Sequence, residues 1–376
     1  MTKQYPFTAI KEKLIERQGR IIDFAVGRRT IPLPGTIDDW IRSNADLALK
    51  PAGRLEAAEF THAASDFLAR EYRVEVPAEC ILPTPGGRAA MSAFIACTLS
   101  PGDRVLVTEP GYPAFARLST HRHAEVLVSL LDPGNGFAPE LTSVVGVDDR
   151  PIRVIAVNYP NNPTGARLSS SVISRLGEIT DASTILFNDA TYGPLVYDES
   201  PGSVLYNGMP GTSQIETVEL HSFSKLFPLG PVAVSFLAGS EKTMQTVSTY
   251  SEFTWSPLSK LQLKATTMCL QDEVRLQELR GFFPTQLQKL RQTLRSIGFE
   301  PYPAPAGVYT LCQVPSRIAG KLVKSAEEAA NRLMNEFDLA VFPLDTPRHG
   351  YLRFSSLYHV EDLERLSGLG TRLEVV

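Results

Sequence analysis

Six short, continuously apolar runs constrain the fold of this 376-residue chain more than any other feature. A run that is apolar throughout is typical of a strand buried on both faces of a sheet. Helical segments separate several of these runs, and this rhythm predicts an α/β doubly wound fold with a mostly parallel sheet. The predicted strands are 104–107, 124–127, 152–157, 184–187, 218–221 and 232–237, with helices at 89–98, 112–119 and 169–179.

A different pattern begins near residue 272 and is typical of a smaller α+β domain. A long amphipathic helix is predicted there, and short strands and one further helix follow it. We expect the N-terminal stretch to pack on this part of the chain. The predicted domains are therefore a large one at 46–274 and a small, discontinuous one at 1–45 and 275–376. Within the small domain, the helices are predicted at 272–297 and 325–336, and the strands at 308–313, 340–342 and 351–355.

Composition indicates which classes of partner to expect. The chain is 43% hydrophobic and 21% charged, with a net charge of −4, so nothing in its composition points to nucleic acid or an anionic membrane as a partner. No leader-like segment and no apolar stretch of about 20 residues is present, which predicts a cytoplasmic protein. The four cysteines have no metal-site spacing with histidine, so we expect reduced thiols and no metal; they are Cys80, Cys97, Cys269 and Cys312.

The stretch His221-Ser222-Phe223-Ser224-Lys225 follows one of the predicted strands. Ligands of open α/β sheets bind at the carboxyl ends of the strands, and a lysine placed there can reach a cofactor. By itself this pattern also fits an ordinary surface lysine.

Two more motifs follow predicted strands directly. The first, 158–165 (NYPNNPTG), has the composition of a turn, but it also places the amide of Asn162 where it can donate to an aromatic hydroxyl. The second, 188–192 (NDATY), places Asp189 and Tyr192 at the end of a buried strand. A carboxylate in such a position needs a cationic or hydrogen-bonding partner, and a protonated pyridine nitrogen would serve.

Taken in this order, the motifs resemble those of the fold type I enzymes that depend on pyridoxal 5′-phosphate (PLP), and specifically the class I/II aminotransferase family. The likeness runs along nearly the whole chain. The start Tyr5-Pro6-Phe7 and the stretch LHSFSK are similar to the N-succinyldiaminopimelate aminotransferase branch. The resemblance implies the PLP-dependent transferase fold, PLP as cofactor, a small α-amino acid and a keto acid as substrates, and a homodimer.

The resemblance also implies roles for residues around the cofactor ring. Lys225 would bind PLP as a Schiff base and then serve as the general acid/base at the substrate α-carbon. Asp189 would keep the pyridine nitrogen protonated. Tyr192 and Asn162 would donate hydrogen bonds to the ring hydroxyl. Tyr112 would stack on the ring face, although a tyrosine in this pattern also fits a core position.

Further roles concern the cofactor phosphate and the substrate. Gly86, Gly87 and Arg88 stand at the start of a predicted helix, where backbone N–H groups bind phosphate, and Ser222 and Ser224 are candidate phosphate donors. Arg353 matches the arginine that holds the substrate α-carboxylate in a bidentate grip. Without the resemblance, Arg353 fits a surface arginine equally well.

The chain departs from the family pattern around the phosphate and the substrate entrance. An arginine that usually stands eight residues after the lysine is replaced by Ala233, and Arg88 is our hypothesis for its substitute. The usual Asp-Glu-Ala-Tyr is Asp-Ala-Thr-Tyr at 189–192. The N-terminal motif is altered to Val-Gly-Arg-Arg-Thr at 26–30, where Arg28 and Arg29 either bind an acidic or polar substrate side chain or lie on the surface. A tyrosine that reaches the partner subunit is not evident near 50–54.

Three functions remain open at this point. The first is an aminotransferase, and the second is a lyase, decarboxylase or oxidase of the same fold in specialised, natural-product amino-acid metabolism. Motifs at the cofactor ring do not decide between these two, because the reactions diverge after a shared first step. The third, an effector-sensing module of a transcription regulator, needs a DNA-binding domain, and we expect none here.

Overall fold

The computed structural model describes residues 6–16, 19–26, 31–139, 150–178, 183–198, 201–205 and 215–375. The strands of the described chain are β1 Ile22–Asp23, β2 Ile81–Thr84, β3 Arg104–Glu109, β4 Glu125–Leu130, β5 Val154–Val157, β6 Ile185–Asp189, β7 Glu216–Ser222, β8 Ser235–Ala238, β9 Tyr309–Gln313, β10 Arg317–Ile318, β11 Lys321–Leu322, β12 Leu339–Ala340, β13 Phe342–Asp345 and β14 Gly350–Ser355. The helices are α1 Pro6–Glu16, α2 Gly35–Ser43, α3 Arg54–Tyr72, α4 Gly87–Thr98, α5 Ala114–His121, α6 Ser170–Glu178, α7 Glu241–Thr254, α8 Lys260–Gln271, α9 Glu273–Ser296, α10 Ala326–Phe337 and α11 Val360–Leu369.

The chain divides into two compact units whose bounds differ from those predicted. The smaller unit comprises Met1–Thr30, Asn162–Gly165 and Gly281–Val376, and the larger one comprises Ile31–Asn161 and Ala166–Arg280. The sequence predicted bounds at residues 45 and 274. The difference has a physical cause, because α2 packs on α8 of the larger unit and the guanidinium of Arg275 donates to the carbonyl of Pro32.

The larger unit is built on a seven-stranded sheet in the order β2-β8-β7-β6-β5-β3-β4. Strands β3 to β7 pair in parallel, and β8 runs antiparallel to both of its neighbours. The predicted α/β fold with a mostly parallel sheet is therefore confirmed. One of the six apolar runs, 232–237, corresponds to the antiparallel strand β8. A continuous apolar run indicates a strand that is buried on both faces, but it does not indicate the direction of that strand.

Strand order places a switch in chain direction between β3 and β5. The chain proceeds from β3 outward to β4 and then returns to the other side of β3, from where β5, β6 and β7 continue in the opposite direction. A crevice forms outside the carboxyl ends of parallel strands at such a point. Under the sheet, Phe187 of β6 packs against Phe94 and Phe115, with ring centroids 4.9 Å away in both cases, so helices α4 and α5 are fixed beside the crevice.

The smaller unit has its own core around the antiparallel sheet β13-β14-β9. Helices α9, α10 and α11 supply Leu290, Leu333 and Leu366 to this core, where Phe354 of β14 is fully buried. The N-terminal stretch joins it through β1, which pairs in parallel with β12. No helix among the described ranges is long and apolar enough to cross a membrane.

Candidate active site

Polar side chains collect where the parallel strands of the larger unit end. Strand β3 is followed by the turn that carries Tyr112, β5 by Asn158, and β6 ends on Asp189. A glycine is required in the first of these turns, because a Cβ atom on Gly111 would lie 2.4 Å from the carbonyl oxygen of Thr108. Parallel strands bring their carboxyl ends to one edge, so these three residues share that edge.

A pocket opens at this edge, at the switch point between β3 and β5. Its walls are strand and helix side chains from the sheet and from α4 and α5. Tyr112 is 37% exposed, which rules out the alternative of a core tyrosine. The pocket is lined by Met91, Val107, Thr108, Tyr112, Phe115, Ala156, Val157, Asn158, Phe187 and Asp189. The site thus offers an aromatic face, apolar walls and one carboxyl group.

Asp189 is buried, with 6% of its surface exposed. Its Oδ1 accepts hydrogen bonds from the backbone N–H (3.1 Å) and the hydroxyl (2.6 Å) of Thr191, and its carbonyl accepts one from the amide of Asn158 at 2.7 Å. Burial raises the pKa of Asp189, and the hydrogen bonds from Thr191 and the charges of His221 and Lys225 oppose that rise. A carboxyl with one oxygen committed and one available fits a cationic ring nitrogen as partner.

Tyr192 follows in the turn after β6 and is buried. Hydrogen bonds from the backbone of Ala190 to Leu220 and of Gly193 to Ala190 hold this turn against β7. Gly193 cannot be replaced by a larger residue, since its Cβ would lie 1.9 Å from the hydroxyl of Tyr72. The turn is therefore held rigidly on both sides of Tyr192.

Lys225 projects to the surface from the turn that follows β7. Phe223, Leu226 and Phe227 in the same turn are buried, and the ring of Phe223 packs edge-on against Phe67 at 5.2 Å. Because these three apolar side chains point into the core, Ser224 and Lys225 are left exposed. The hydroxyls of Ser222 and Ser224 lie 3.0 Å apart. The turn therefore carries two neighbouring hydroxyls, one buried and one exposed, and an exposed amine.

Helix α4 begins at a glycine pair. Gly86 has a φ of +104°, which favours glycine, and a Cβ on Gly87 would press against Leu220 of β7 at 3.3 Å. The N-cap residue Gly86 makes no side-chain hydrogen bond, so the first N–H groups of α4 keep their capacity to bind an anion. Arg88 lies in this first turn and is exposed.

Ala233 stands where the family pattern has an arginine. It ends the 3-10 turn Gly230–Val232, and the next backbone N–H, from Val234, donates to the hydroxyl of Thr266 at 3.1 Å. This position therefore provides no charge, and the backbone here is held by a neutral contact within the larger unit.

Arg353 and Asn162 form a separate polar site in the smaller unit. Arg353 lies on the central strand β14 and is 7% exposed, so the alternative of a surface arginine is wrong. Its Nη1 donates to Oδ1 of Asn162 and its Nη2 to the carbonyl of Ala25, both at 3.0 Å. The guanidinium carbon is 4.1 Å from the ring centroid of Tyr309 and 4.5 Å from that of Phe342.

The charge of Arg353 has no carboxylate partner within the described chain, and its buried Nε has no hydrogen-bond partner there. A buried cation is costly unless an anion joins it. The two aromatic faces stabilise the guanidinium and fix its plane. The smaller unit therefore holds an oriented cation suited to a carboxylate. Arg28, the other predicted substrate residue, lies outside the described residues.

Several residues of these sites were missed from the sequence. Tyr309 and Phe342 reach Arg353 only through strand register, because Phe342 pairs with Arg353 across β13 and β14. Asn158 stood within the NYPNNPTG motif without an assigned role. Glu219 and His221 lie two residues apart on a buried strand. Because polar residues are seldom buried without partners, their position in the sequence was a signal of a buried hydrogen-bonded cluster.

The comparisons with known proteins point to one enzyme family. The family model "Aminotransferase class I and II" matches residues 21–366. An LL-diaminopimelate aminotransferase of Methanocaldococcus jannaschii is 29% identical over 288 residues, which is 76% of this chain and 68% of that protein. Transaminase BacF of Bacillus subtilis is 30% identical over 252 residues, 64% of this chain and 61% of its own.

Among solved structures, substrate-bound BacF covers 98% of this chain and 94% of its own, with a TM-score of 0.85 and 23% identity. The N-succinyldiaminopimelate aminotransferase of Mycobacterium tuberculosis has the same TM-score at 20% identity, covering 97% of each chain. At these identities the two structures show the fold alone. The fold is that of the fold type I PLP enzymes. This chain belongs to the class I and II aminotransferase family: it is an aminotransferase, and its cofactor is pyridoxal 5′-phosphate.

Proposed function

We propose that this enzyme moves the amino group of a small α-amino acid to a keto acid, with Lys225 as the residue that holds the cofactor and moves the proton at the α-carbon. The observation that carries the proposal is the buried carboxyl of Asp189 in a pocket that Tyr112 also lines. When bound, pyridoxal 5′-phosphate accepts the electron pair that is left when the α-proton departs. Asp189 keeps a proton on the ring nitrogen, which that chemistry requires.

Different residues bind different parts of the cofactor ring. Tyr112 would stack on one face, and Tyr192 would donate a hydrogen bond to the ring hydroxyl; the same role for Asn162 stays a prediction. Lys225 is exposed and makes no ion pair or hydrogen bond with another described residue, so its amine is free to react. We propose that the same amine then transfers the proton as general acid and base, because it remains next to the α-carbon.

Donors from two segments hold the phosphate. The uncapped start of α4 supplies the N–H groups around Gly86 and Gly87, and Ser222 and Ser224 supply hydroxyls. Arg88, in the first turn of α4, supplies the cation that Ala233 does not. This assignment of Arg88 depends on its place in the helix and on its exposed, unpaired guanidinium.

The substrate α-carboxylate binds Arg353. A guanidinium held between two rings, with a buried Nε that has no partner in the described chain, has the plane and the donor capacity for a bidentate grip. Arg28 stays a prediction as a contact for an acidic or polar substrate side chain. The names of the relatives suggest LL-diaminopimelate as one amino donor to test.

Transfer of labelled nitrogen tests the proposed reaction. The PLP-loaded enzyme is incubated with one ¹⁵N-labelled amino acid at a time and with 2-oxoglutarate, and glutamate is analysed by mass spectrometry. We expect ¹⁵N in glutamate for at least one donor, with a loss of roughly 1,000-fold in Lys225→Ala. The matched control is Lys264→Ala, since Lys264 forms only a surface pair with Glu59. Release of ¹⁵N-ammonia, peroxide or carbon dioxide without labelled glutamate would instead identify a lyase, oxidase or decarboxylase.

We also propose that the enzyme acts as a homodimer. Leu49, Leu55 and Phe253 are large apolar side chains that are 89%, 68% and 86% exposed. They belong to one region of the larger unit, because backbone hydrogen bonds join the segment after Leu49 to the segment after α7: Ala52 donates to Leu258 and Lys260 donates to Lys50. An exposed apolar region of this kind is typical of a protein interface.

Light scattering coupled to size-exclusion chromatography tests the dimer. We expect twice the chain mass for the wild-type protein and the mass of one chain for Phe253→Glu. Val360→Glu is the matched control, because Val360 is 69% exposed but belongs to the smaller unit. A wild-type protein that elutes as a single chain would refute the dimer. The cytoplasmic location predicted from the sequence stays a prediction.

A further inference from the structure

Glu219 is a carboxylate buried inside the sheet, on β7, with no exposed surface. Its Oε1 accepts hydrogen bonds from the amide of Asn188 (2.8 Å) and the backbone of Val204 (3.3 Å). Its Oε2 accepts from the hydroxyl of Ser203 (2.5 Å) and from Nε2 of His221 (3.2 Å). Four donors converge on two oxygens, so the carboxylate is fully satisfied although it is buried.

Asn188 connects Glu219 to the residues next to the cofactor ring. It immediately precedes Asp189, and its side chain forms two hydrogen bonds with the backbone of Tyr159, one as acceptor and one as donor. The N–H of Tyr159 donates to Oδ1 of Asn188 at 2.9 Å, and Nδ2 of Asn188 donates to the carbonyl of Tyr159 at 3.1 Å. The amide orientation that allows both bonds is fixed by Glu219, since Nδ2 also donates to the carboxylate. Glu219 thereby joins the ends of β5, β6 and β7.

His221 connects Glu219 to the lysine turn. It directly precedes Ser222 on β7, and its ring stacks on Phe236 at 4.8 Å and meets Tyr72 edge-on at 5.1 Å. Its Nδ1 has no hydrogen-bond partner in the described chain. Among the described residues, Oε2 of Glu219 is therefore the polar group that orients this ring, and it requires a proton on Nε2.

We propose that Glu219 is a positioning residue of the cofactor site. Through Asn188 it fixes Asp189 and the turn after β5, and through His221 it fixes the end of β7 that carries Ser222 and leads to Lys225. This inference rests on the proposed function, because it assumes that Asp189 and Lys225 bind the cofactor. Glu219 acts through these residues and is not proposed to contact the cofactor itself.

Glu219→Gln tests the proposal with little change in size. A glutamine offers one acceptor oxygen, and its NH₂ group would face either Asn188 and Val204 or Ser203 and His221, all of which donate to the carboxylate. We expect the Kd for PLP to rise about tenfold, which is the loss associated with one hydrogen bond to a charged group. We also expect the visible circular dichroism of the bound cofactor to fall by about half, because that signal depends on the orientation of the ring.

Glu216→Gln is the matched control on the same strand. Oε1 of Glu216 accepts hydrogen bonds from the hydroxyls of Ser240 (2.6 Å) and Thr243 (2.8 Å), at the opposite end of β7. We expect this variant to lower Tm while leaving the Kd for PLP and the visible circular dichroism at wild-type values. A general loss of stability would therefore be distinguished from a loss of positioning.

Ser203→Ala keeps the proposal testable if Glu219→Gln does not fold. It removes one donor from Oε2 and leaves the carboxylate in place, so both signals should change in the same direction, with about a threefold rise in Kd. Wild-type Kd and circular dichroism in Glu219→Gln, or in Ser203→Ala where the first variant is unfolded, would overturn the inference. If the wild-type protein itself shows no visible absorbance of lysine-bound PLP, the proposed function fails and the inference fails with it.

Discussion

The two ends of helix α4 differ in whether side chains bind the backbone groups that have no partner within the helix. At the carboxyl end, Nη2 of Arg122 donates to the carbonyls of Ala96 (3.3 Å) and Leu99 (3.1 Å), and Nε of Arg153 donates to that of Thr98 (3.4 Å). Cations there satisfy orphan carbonyls and oppose the negative end of the helix dipole. At the amino end, Gly86 provides no side-chain cap.

The same contrast extends to the two edges of the large sheet. At the edge where the parallel strands begin, Arg104 donates to the carbonyl of Arg150 (2.6 Å) and Arg153 donates to that of Ser183 (2.7 Å). At the edge where the strands end, Asp189 has one oxygen committed to Thr191, and Lys225 is exposed. Charges that complete the protein's own backbone are structural, whereas charges left open at the strand ends are available for a ligand.

After Lys225, Asp189 should give the largest effect among the open charges when it is replaced. In Asp189→Asn the carbonyl oxygen can still accept from Thr191, but the side chain no longer stabilises a proton on the ring nitrogen. We expect the rate of ¹⁵N transfer to fall about 100-fold, similar to the loss of one electrostatic group in other active sites. A variant with more than half of the wild-type rate would show that the open carboxyl has no part in the reaction.

The same variant should be more stable than the wild type without cofactor. Burial raises the pKa of Asp189 in the folded protein above its ordinary value of 3.8, so ionisation disfavours the folded state. The wild-type protein therefore loses stability as pH rises from about 3.8 through the raised pKa, and Asp189→Asn does not. Thermal denaturation of the cofactor-free proteins between pH 4 and 7 measures this difference. Asp38→Asn, a surface substitution, should follow the wild type.

The sequence predicted most of the larger unit because its strands are marked by continuous apolar runs. The six predicted strands agree with observed ones within a few residues, but the strand predicted at 232–237 begins only at Ser235, because a 3-10 turn at Gly230–Val232 precedes it. Gly230 and Pro231 disfavour an extended strand and favour this turn, which delays the start of β8. Helix α9 was predicted at 272–297 and found at Glu273–Ser296, although Pro284 lies inside it.

The candidate sites were predicted where a motif follows a strand directly and missed where contacts depend on register. Asp189, Tyr192 and Lys225 follow strand ends, so their place was available from the sequence. The aromatic rings around Arg353 come from other strands, and no local pattern connects Tyr309 or Phe342 to it. The partners of Glu219 include Ser203, which lies 16 residues away in the sequence. The hydrogen bonds that satisfy this carboxylate could therefore be identified only from the structure.

Arg88 gives the next largest expected effect and tests the amino end of α4. If its guanidinium replaces the arginine missing at Ala233, Arg88→Ala should raise the Kd for PLP about tenfold, the usual loss for a charge-assisted hydrogen bond. Tm of the cofactor-free protein should stay unchanged, because Arg88 is exposed and forms no ion pair with a described residue. Fluorescence titration of PLP measures the affinity. Wild-type affinity in this variant would exclude Arg88 as the phosphate cation.

Arg122 gives the smallest expected effect and tests the carboxyl end of the same helix. Arg122→Ala leaves the carbonyls of Ala96 and Leu99 to water and removes a cation from the negative end of the dipole, so we expect a loss of about 0.5–1 kcal/mol in the free energy of unfolding. The Kd for PLP should not change, because Arg122 completes only the protein's own backbone. Urea denaturation and the PLP titration measure the two quantities in one preparation. A variant that binds PLP more weakly but unfolds at the wild-type urea concentration would contradict the structural role of Arg122 and would assign the carboxyl end of α4 to cofactor binding.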